Sequence, residues 1–542
     1  MKRNILIGGA WPYANGSLHI GHISALLPGD VLARYHRACG DQVYFVSGSD
    51  CHGTPVAVRA KKEGKTPQEI SGFYHDEFVQ CFEKLGFSYD CYTRTSDERH
   101  KQFVREFHAR LYRSEFVYEK ETPQAYCEKC ESFLADRFVT GICPTCHKEA
   151  RGDQCDDCGT VLEPENLISP VCAVCGSPVS FRKSRHLYIA ISKMEEALRI
   201  LVDNASLWRK NAVSFTKRYI HEGLRDRALT RDLEWGIDVP LEGYDGKTIY
   251  IWAENVLGYL SASKCVAEER GTDFSALWGE EAKHYYVHGK DNIPFHTIIL
   301  PALMIANGGG WHLPDQIVSS EYLTLEGRKI STSQNYAIWV KDIIDRYDPD
   351  SIRYFFLANG PEKKDADFSW REFVNSHNGE LLGAYGNFVN RSLAFIRKYW
   401  NGVVPGGRTN AGIASAIASL YQTTGSLIEK GAFKDALNGI FEFVRQANKY
   451  FDTETPWITR TSDQEACRNT LYQCVQMIAN LAVLLRPFLP FSSEKICGWL
   501  SLDDKWQLHE VQGGYHLPKI QILFERIDKS AVETETEKLS LL

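Results

Sequence analysis

The feature that most constrains the fold of this chain is a set of four Cys-x-x-Cys pairs crowded between residues 127 and 175. Two cysteines at this spacing can turn both sulfurs toward one tetrahedral ion, so eight thiolates suit two closed structural zinc sites. The segment 126–176 is rich in Cys, Gly, Pro and Asp and has no helical period. We therefore predict a small module whose folding energy comes from bound Zn²⁺ rather than from an apolar core. The predicted ligands are Cys127, Cys130, Cys143, Cys146, Cys155, Cys158, Cys172 and Cys175.

Length and composition place this module within a larger protein. A chain of 542 residues predicts roughly three or four domains. Its first residues lack the long apolar stretch of a secretory signal, and no segment approaches the roughly 20 apolar residues that span a bilayer. We expect a soluble, cytoplasmic protein with no membrane partner. The net charge of −7 is compatible with RNA binding through a confined basic face.

The segments that flank the module have the pattern of a parallel α/β domain. Residues 4–8 predict a strand, 18–39 a helix that Pro28 would divide, and 42–46 a second, buried strand. The pattern stops near residue 116 and resumes after 223, with predicted strands at 247–252 and 284–288. Strand–helix–strand order of this kind favours a parallel sheet with right-handed crossovers.

The last third of the chain has a different period. From about residue 375, amphipathic helices are predicted over 381–400, 432–451 and 465–485. The polar residues 530–542 predict a loose tail. The chain therefore combines an α/β part with an all-helical part.

A His-x-x-His motif lies where the first strand leads into the first helix. It reads Pro-Tyr-Ala-Asn-Gly-Ser-Leu-His-Ile-Gly-His over residues 12–22. The N–H groups at a helix start are unsatisfied, and the helix dipole favours anions there. His19 and His22 are one turn apart, so both imidazoles can donate to one phosphate and stabilise charge that develops during phosphoryl chemistry.

This motif is similar to the signature of class I aminoacyl-tRNA synthetases, and its surroundings resemble the methionyl-tRNA synthetase family. The resemblance covers nearly the whole chain. In chain order it includes Ser-Asp-Cys-His-Gly-Thr-Pro at 49–55, Gly-Lys-Asp at 289–291 followed by Phe-His at 295–296, Asp-Ala-Asp-Phe-Ser-Trp at 365–370 and Leu-Phe-Glu-Arg-Ile at 523–527. It implies an α/β, Rossmann-like catalytic domain with a zinc-knuckle insertion, followed by an all-α anticodon-binding domain.

The resemblance also implies domain bounds. The catalytic domain would comprise 1–115 and 225–320, and the connective insertion 116–224 with its knuckles at 126–176. A stem-contact segment at 321–374 would carry the Lys-Ile-Ser-Thr-Ser loop. The anticodon domain would span 375–515 and a C-terminal tail 516–542.

The implied activity is ATP-dependent ligation of L-methionine to methionine tRNA through a methionyl-adenylate. Catalysis would be chiefly positioning and charge stabilisation. His19 and His22 would hold the triphosphate and Asp291 the ribose, Arg231 would reach in from the insertion, and Mg²⁺ would accompany ATP. The implied ATP-binding set is His19, Gly21, His22, Gly289, Asp291, Arg328, Lys329 and Thr332, with His19, His22, Lys329 and Arg231 catalytic.

The implied methionine pocket is an apolar sleeve with one weak polar contact to the thioether. Asp50 would hold the ammonium group, Tyr259 and His296 would bracket the sulfur, and Trp252 would close over the side chain. The chain departs from the family pattern at Trp11, where leucine is common, and at Asn255-Val256, where Ala-Pro is common. The full implied set is Trp11, Tyr13, Asp50, Trp252, Val256, Tyr259 and His296.

A second departure lies in the loop that resembles the family's Lys-Met-Ser-Lys-Ser. Here the sequence is Gly-Arg-Lys-Ile-Ser-Thr-Ser over 327–333. The first lysine is kept as Lys329, but Thr332 occupies the place of the second, which neutralises the leaving pyrophosphate in the family. Arg328, or a lysine from elsewhere, is a candidate to compensate.

The resemblance further implies how the chain binds RNA and metal. Asn387, Arg391 and Trp457 match positions that recognise the CAU anticodon, and a planar amide, a guanidinium and an indole suit unpaired bases. Among the possible cysteine pairings we predict the nested one, in which the inner two pairs share one ion and the outer two the other. The chain lacks the added C-terminal domain of dimeric relatives, so we expect a monomer.

Two alternatives stay open on the sequence. The first is a class I synthetase for isoleucine, leucine, valine or cysteine, although the first three usually carry a much larger editing insertion and the cysteine enzyme holds zinc in its amino-acid site. The second is a tRNA-binding paralogue with weakened aminoacylation, which Thr332 favours. ATP–pyrophosphate exchange with each amino acid separates these alternatives.

Overall fold

The structure is a computed structural model that describes residues 2–134, 138–152, 155, 158, 160, 162–332 and 334–540. Over these residues, no helix combines the length and the apolar character needed to cross a membrane. The predicted loop residue Ser333 lies outside the described residues.

The first part of the chain alternates strands and helices. Its elements are β1 (Asn4–Gly9), α1 (Ile20–Ala38), β2 (Gln42–Ser49), α2 (Thr54–Glu63), α3 (Pro67–Lys84), β3 (Cys91–Arg94) and α4 (Glu98–Leu111). Strands β1 and β2 confirm the predicted pair, and Gly40, with φ of +84°, follows the end of α1.

The insertion that follows is mostly antiparallel. Its elements are β4 (Val117–Cys127), β5 (Ser132–Phe133), β6 (Val139–Ile142), β7 (Glu149–Arg151), β8 (Ile168–Cys172), β9 (Ser180–Ile189), α5 (Glu195–Asp203), α6 (Lys210–His221), β10 (Arg227–Ala228), β11 (Thr230–Arg231) and β12 (Thr248–Ile249). Strands β4 and β9 pair along ten residues each and carry the cysteine module at their far end.

The chain then returns to the first part. The returning elements are α7 (Ile251–Asn255), α8 (Gly258–Arg270), α9 (Phe274–Leu277), β13 (Lys283–Gly289), α10 (Leu300–Asn307), β14 (Gln316–Ser320), β15 (Leu323–Leu325), β16 (Arg328–Lys329), α11 (Val340–Ile343), α12 (Pro349–Asn359), β17 (Ala366–Phe368) and α13 (Trp370–Ser376). A π-helical turn, Phe295–Ile299, precedes α10.

The predicted parallel sheet is confirmed. Five strands lie in the order β14-β13-β1-β2-β3, and every neighbouring pair is parallel. In such a sheet, ligands bind outside the carboxyl ends of the strands, where the strand order reverses. Here that point lies beyond β1 and β13, and the His-x-x-His motif follows β1.

The last part of the described chain is helical, as predicted. A π-helical segment, His377–Gly386, leads into α14 (Asn387–Tyr399), α15 (Ala411–Glu429), α16 (Phe433–Glu454), α17 (Pro456–Ser462), α18 (Gln464–Leu485), α19 (Pro490–Leu500) and α20 (Ser530–Ser540). Helix α18 is buried along most of its length and forms the centre of this domain.

Three local predictions were wrong. Helix α1 runs unbroken through Pro28, since its burial against the sheet outweighs the proline's cost of about 3 kcal/mol. Only Thr248–Ile249 of the predicted strand 247–252 is extended, and Ile251 begins a helix, because a short apolar run cannot distinguish strand from helix. The predicted loose tail is α20, whose Glu535 is buried and pairs with Arg346 at 3.0 Å.

Candidate functional site

His19 and His22 are held together at the N-terminus of α1. His19 is the N-cap, and its Nδ1 accepts a hydrogen bond from the Gly21 N–H at 3.1 Å. His22 Nδ1 accepts from the His19 N–H at 3.1 Å, which completes a reciprocal capping box. The two ring centroids are 4.0 Å apart. The backbone thus fixes both imidazoles side by side.

Burial decides the charge of the two rings, and the same hydrogen bonds decide which ring nitrogen carries the proton. Burial lowers the pKa of His19 well below its usual value and the pKa of His22 to about 4. Both rings are therefore neutral near pH 7. Since each Nδ1 accepts a backbone N–H, each proton resides on Nε2. The motif presents two neutral Nε2–H donors.

These donors line a cavity of about 610 Å³ at the carboxyl ends of β1 and β13. Gly21 is required beside them, because a Cβ there would lie 2.8 Å from His19 Cε1. The cavity brings together most of the predicted ATP-binding residues from three separate segments. Those that line it are His19, Gly21, His22, Gly289, Asp291 and Lys329.

One wall of the cavity carries groups that the sequence analysis did not single out. Tyr322 donates its hydroxyl to Asp291. The Lys290 ammonium lies 3.7 Å from the Tyr322 ring centroid and 2.8 Å from carboxylates of both Glu321 and Asp365. The position of Lys290 within Gly-Lys-Asp was the available signal for it, whereas nothing in the sequence marks Tyr322.

The loop that departs from the family pattern carries two cationic side chains, and the two point in different directions. Lys329 lines the cavity. The Arg328 guanidinium lies over the Tyr336 ring at 4.1 Å and does not line the cavity. Thr332 likewise does not line it, and its carbonyl accepts the Asn335 N–H at 3.2 Å. Of the two loop cations, Lys329 is therefore the one that faces the cavity.

Two further predicted residues point elsewhere in this structure. The Arg231 guanidinium lies over the Tyr250 ring at 4.1 Å and does not line the cavity. The Trp252 indole packs on Phe295, with 4.8 Å between ring centroids, and lines a separate cleft. Phe295, which the sequence analysis quoted only as part of a motif, stands between Trp252 and the small pocket described next.

Four of the other predicted methionine-binding residues line a small pocket of about 30 Å³ that adjoins the large cavity. Trp11, Val256, Tyr259 and His296 all line it. His296 Nδ1–H donates to the Asn292 carbonyl at 2.8 Å, so its Nε2 accepts from the Tyr259 hydroxyl at 2.8 Å. Burial lowers the pKa of His296 to about 4, which keeps the ring neutral. A cavity of this volume has room for about two waters.

The unusual Trp11 is accommodated by two glycines. A Cβ on Gly48 would lie 2.5 Å from the indole, and a Cβ on Gly258 would lie 2.4 Å from it. The indole is buried against both strand β2 and helix α8. Because neither glycine has a side chain, the indole fits between β2 and α8 at a position where a smaller residue is common in the family.

Asp50 lies at the end of β2, beneath this pocket. Its backbone pairs with the strand end at Pro12 and Ala14, which brings Tyr13 alongside. The carboxylate is fully buried and accepts from Asn255 Nδ2 at 2.8 Å. Burial, together with the nearby Glu254, raises the pKa of Asp50 well above its usual range.

The eight paired cysteines form two groups of four in the nested order. Within each group all sulfurs lie within 4.8 Å of one another. The shortest separations are 3.4 Å for Cys127–Cys175 and 3.5 Å for Cys146–Cys155. Four sulfurs bound to a tetrahedral zinc at about 2.3 Å lie about 3.8 Å apart. Both groups fit a structural Zn²⁺ in size and in donor chemistry. The outer group is Cys127, Cys130, Cys172 and Cys175; the inner group is Cys143, Cys146, Cys155 and Cys158.

The three predicted anticodon residues lie on one surface of the helical domain. Asn387 is exposed and lies one turn before Arg391 on α14. The Arg391 guanidinium is 4.2 Å from the Phe451 ring centroid and 6.0 Å from that of Trp457. It also pairs with Asp452 at 2.6 Å. Trp457 is 45% exposed, so one face of its indole is free to stack.

Comparisons with known proteins agree with this architecture. Residues 5–393 match the family described as tRNA synthetases class I (M), and residues 406–540 match the anticodon binding domain of methionyl tRNA ligase. A structure of Mycobacterium tuberculosis methionyl-tRNA synthetase in complex with methionyl-adenylate superposes with a TM-score of 0.80, covering 97% of this chain and all of that one. At 24% identity, this likeness concerns the fold alone.

Sequence relatives are much closer. Methionine–tRNA ligase 1 of Alkaliphilus oremlandii is 54% identical over 539 residues, and that of Bacillus cereus is 54% identical over 540 residues. Each alignment covers 99% of both chains. The family matches together span nearly the whole sequence. The chain therefore belongs to the methionyl-tRNA synthetase family of class I aminoacyl-tRNA synthetases.

Proposed function

We propose that this protein ligates L-methionine to methionine tRNA in two steps, through a methionyl-adenylate, with release of pyrophosphate and then AMP. The observation that carries the proposal is the pair of neutral Nε2–H donors on His19 and His22, which line the same cavity as Lys329 and Asp291. A pocket lined by Tyr259 and His296 adjoins that cavity. The two imidazole donors therefore lie next to the pocket that we propose for the amino acid.

In the first step, the methionine carboxylate attacks the α-phosphate of ATP and pyrophosphate leaves. The His19 and His22 donors hold phosphate oxygens at the start of α1, where the helix dipole also favours negative charge. Lys329 stabilises the charge that grows on the leaving group. Because the donors are fixed by the backbone before substrate arrives, little reorganisation is needed as charge develops.

The remaining site residues orient the substrates. Asp291, which lines the cavity, would hold the ribose hydroxyls, and Asp50 would hold the substrate ammonium. Arg231 would have to leave Tyr250 to reach the triphosphate. Magnesium would be carried chiefly by the triphosphate, since Mg²⁺ keeps several waters and takes few protein ligands, and it would neutralise phosphate charge. The two zinc ions would be structural, because four thiolates close each tetrahedron.

The second step transfers the aminoacyl group to the terminal ribose of the tRNA. The surface formed by Asn387, Arg391 and Trp457 would bind the CAU anticodon, with the indole stacking on an unpaired base. We also propose that the protein works in the cytoplasm, where charged tRNA serves translation. For a monomer, light scattering should give the mass of one chain, 61.6 kDa.

The deciding experiment is ATP–pyrophosphate exchange with a panel of amino acids, followed by charging of purified methionine tRNA. Exchange stimulated by methionine but not by isoleucine, leucine, valine or cysteine supports the proposal. Exchange with one of those amino acids instead would make the chain a different class I synthetase. Binding of methionine tRNA without exchange would favour the paralogue with weakened aminoacylation, for which Thr332 is the supporting observation.

A further inference from the structure

Three acidic or basic side chains are buried together beneath the methionine pocket. Asp50 and Glu254 have no exposed surface, and His52 is 1% exposed. His52 Nδ1 and Glu254 Oε1 are 2.5 Å apart. Asp50 and His52 follow the end of β2, whereas Glu254 lies on α7. The cluster therefore links the parallel sheet to the first helix after the insertion. Of the three residues, only Asp50 has a role implied by the family resemblance.

Each member of this cluster keeps one atom without a hydrogen-bond partner. Among the described residues, none forms a hydrogen bond with Asp50 Oδ1, Glu254 Oε2 or His52 Nε2, although all three atoms are buried. The other Asp50 oxygen, Oδ2, accepts from a neutral donor, the Asn255 side-chain amide, at 2.8 Å. Unsatisfied buried polar atoms cost free energy, so this arrangement is suited to receiving a ligand with hydrogen-bond donors.

The charges of the cluster do not balance when both carboxyls are ionised. A protonated His52 would neutralise Glu254 and leave Asp50 uncompensated, while a neutral His52 would leave two like charges close together. The other titratable groups that face the cluster add no cation: Cys51 is a buried thiol next in the chain to Asp50, and burial lowers the pKa of His100 to about 3. A buried charge without a partner is strongly unfavourable.

We propose that the empty site holds a proton on Asp50 and that the ammonium group of methionine replaces it. When the substrate binds, the Asp50 O–H bond breaks, its electron pair stays on the carboxylate oxygen and the proton leaves to solvent. The ammonium then supplies the positive charge and the N–H donors that the cluster lacks. His52 and Glu254 act as positioning residues, since their pairing fixes the negative neighbour that keeps Asp50 protonated until substrate arrives.

The direction of the pH dependence follows from linkage. Asp50 has a raised pKa in the empty site, in agreement with this arrangement, and the bound ammonium lowers it. Between these two values binding releases a proton, so methionine affinity rises with pH across that window. Above the pKa of the empty site, Asp50 is already ionised, and binding no longer depends on pH.

The test is calorimetry of L-methionine binding to the whole protein, in buffers of different ionisation enthalpy, between about pH 5.5 and 8. We expect the observed enthalpy to vary with the buffer, with up to about one proton released per methionine and the largest release at the acid end. L-Methioninol, which keeps the ammonium but lacks the carboxylate, should release protons similarly. The analogue 4-(methylsulfanyl)butanoate, which lacks the ammonium, should release none. An enthalpy independent of buffer at every pH would overturn the proposal.

Glu254→Gln tests the positioning role. It removes the negative neighbour, so Asp50 should ionise more readily and proton release at a given pH should fall. A matched control is Glu442→Gln, an exposed residue on α16, which should leave the proton count unchanged. A purely structural role for Glu254 would weaken binding without changing the count. The inference rests on the proposed function, and the outcomes separate the two: a protein that binds methionine and catalyses exchange without proton release refutes only the inference.

Discussion

The Tyr259 hydroxyl donates a hydrogen bond of 2.8 Å to Nε2 of His296 in the centre of the small pocket. His296 Nδ1–H donates in turn to the Asn292 carbonyl, so both hydrogen bonds run in the same direction, from Tyr259 through His296 to Asn292. The Tyr259 oxygen keeps a lone pair, and the ring of His288 stacks on His296 at 4.2 Å. The polar end of the pocket is thus fixed before a ligand enters.

We therefore expect Tyr259→Phe to raise the KM for methionine in ATP–pyrophosphate exchange by roughly tenfold, about 1.4 kcal/mol, since it leaves a buried imidazole nitrogen unpaired. Discrimination between methionine and norleucine should fall as well. Tyr285→Phe is the matched control, because it removes a buried hydroxyl bonded to His36 at 3.1 Å, away from the pocket. Equal effects of the two variants would argue against a role for Tyr259 in substrate recognition.

Lys329→Ala should slow adenylate formation severely while methionine binding stays similar. A loop cation lowers the barrier more than it tightens the ground state, because charge on the leaving group grows toward the transition state. Loss of one such donor costs about 10²–10³ in rate, measured as single-turnover adenylate formation. Arg328→Ala should cost less, since its guanidinium lies over Tyr336. Thr332→Lys should raise the rate or leave it unchanged. A near-wild-type rate for Lys329→Ala would show that the loop is not catalytic here.

Trp457→Ala and Arg391→Ala should weaken charging of methionine tRNA and leave ATP–pyrophosphate exchange almost unchanged. Loss of one stacked base weakens tRNA binding by about 1–3 kcal/mol. Exchange should not change, because the cavity lined by His19 and His22 lies in another domain. Ile458→Ala, which replaces the exposed neighbour of Trp457, serves as the control for local helix damage. Equal loss in both half-reactions would contradict the assignment of this surface.

Metal analysis of the purified protein should give two zinc ions per chain. Cys130→Ser and Cys146→Ser should each remove about one ion, because they belong to different groups. Cys39→Ser alters an exposed cysteine outside the module and should keep both ions. A single ion in the wild type, or the loss of both ions from one substitution, would refute two independent sites.

Stability should decline as the pH falls below about 6.5. Burial lowers the pKa values of His108 to about 4 and His284 to about 3, whereas histidine in the unfolded chain titrates near 6.5. The unfolded state therefore binds more protons in this window, and the stabilising contribution of these neutral rings is lost as pH drops toward the folded pKa. Each of the two histidines lowers the free energy of unfolding by up to roughly 1.4 kcal/mol per pH unit. The loss is measurable as a lower urea midpoint at pH 6 and 5 than at pH 7. His108→Gln, which can keep a donor toward the Ala253 carbonyl, should reduce the acid sensitivity. Constant midpoints would contradict this.

Sequence patterns predicted what depends on local chemistry. The strand before His19 and the closeness of that motif to a helix start follow from the pattern along the chain, whereas spacing alone left adjacent and nested grouping of the cysteine pairs open. The orientations of Arg231 and Trp252 did not follow, because they depend on partners such as Tyr250 and Phe295 that the tertiary fold supplies.

The same distinction explains the elements that were wrong or missed. Pro28 continues a helix only because the sheet buries it, and residues 530–540 form a helix that docks at Arg346. The pairing of His52 with Glu254 joins residues 202 positions apart, so no local pattern could have indicated it. Long-range packing decides these features, and the periodicity of a single sequence carries no information about such packing.

The docking of the segment after residue 520 onto the π-helical segment His377–Gly386 has a consequence for biosynthesis. His377 donates to the Glu525 carbonyl at 2.7 Å, and Asn378 bonds both backbone groups of Ile527. Residues 377 and 525 are separated by 148 positions, which a ribosome takes about 7–30 s to translate. During that interval His377, which ends up buried, has no such partner on the nascent chain. The π-helical segment therefore stays exposed on the nascent chain until the segment that packs on it has been synthesised.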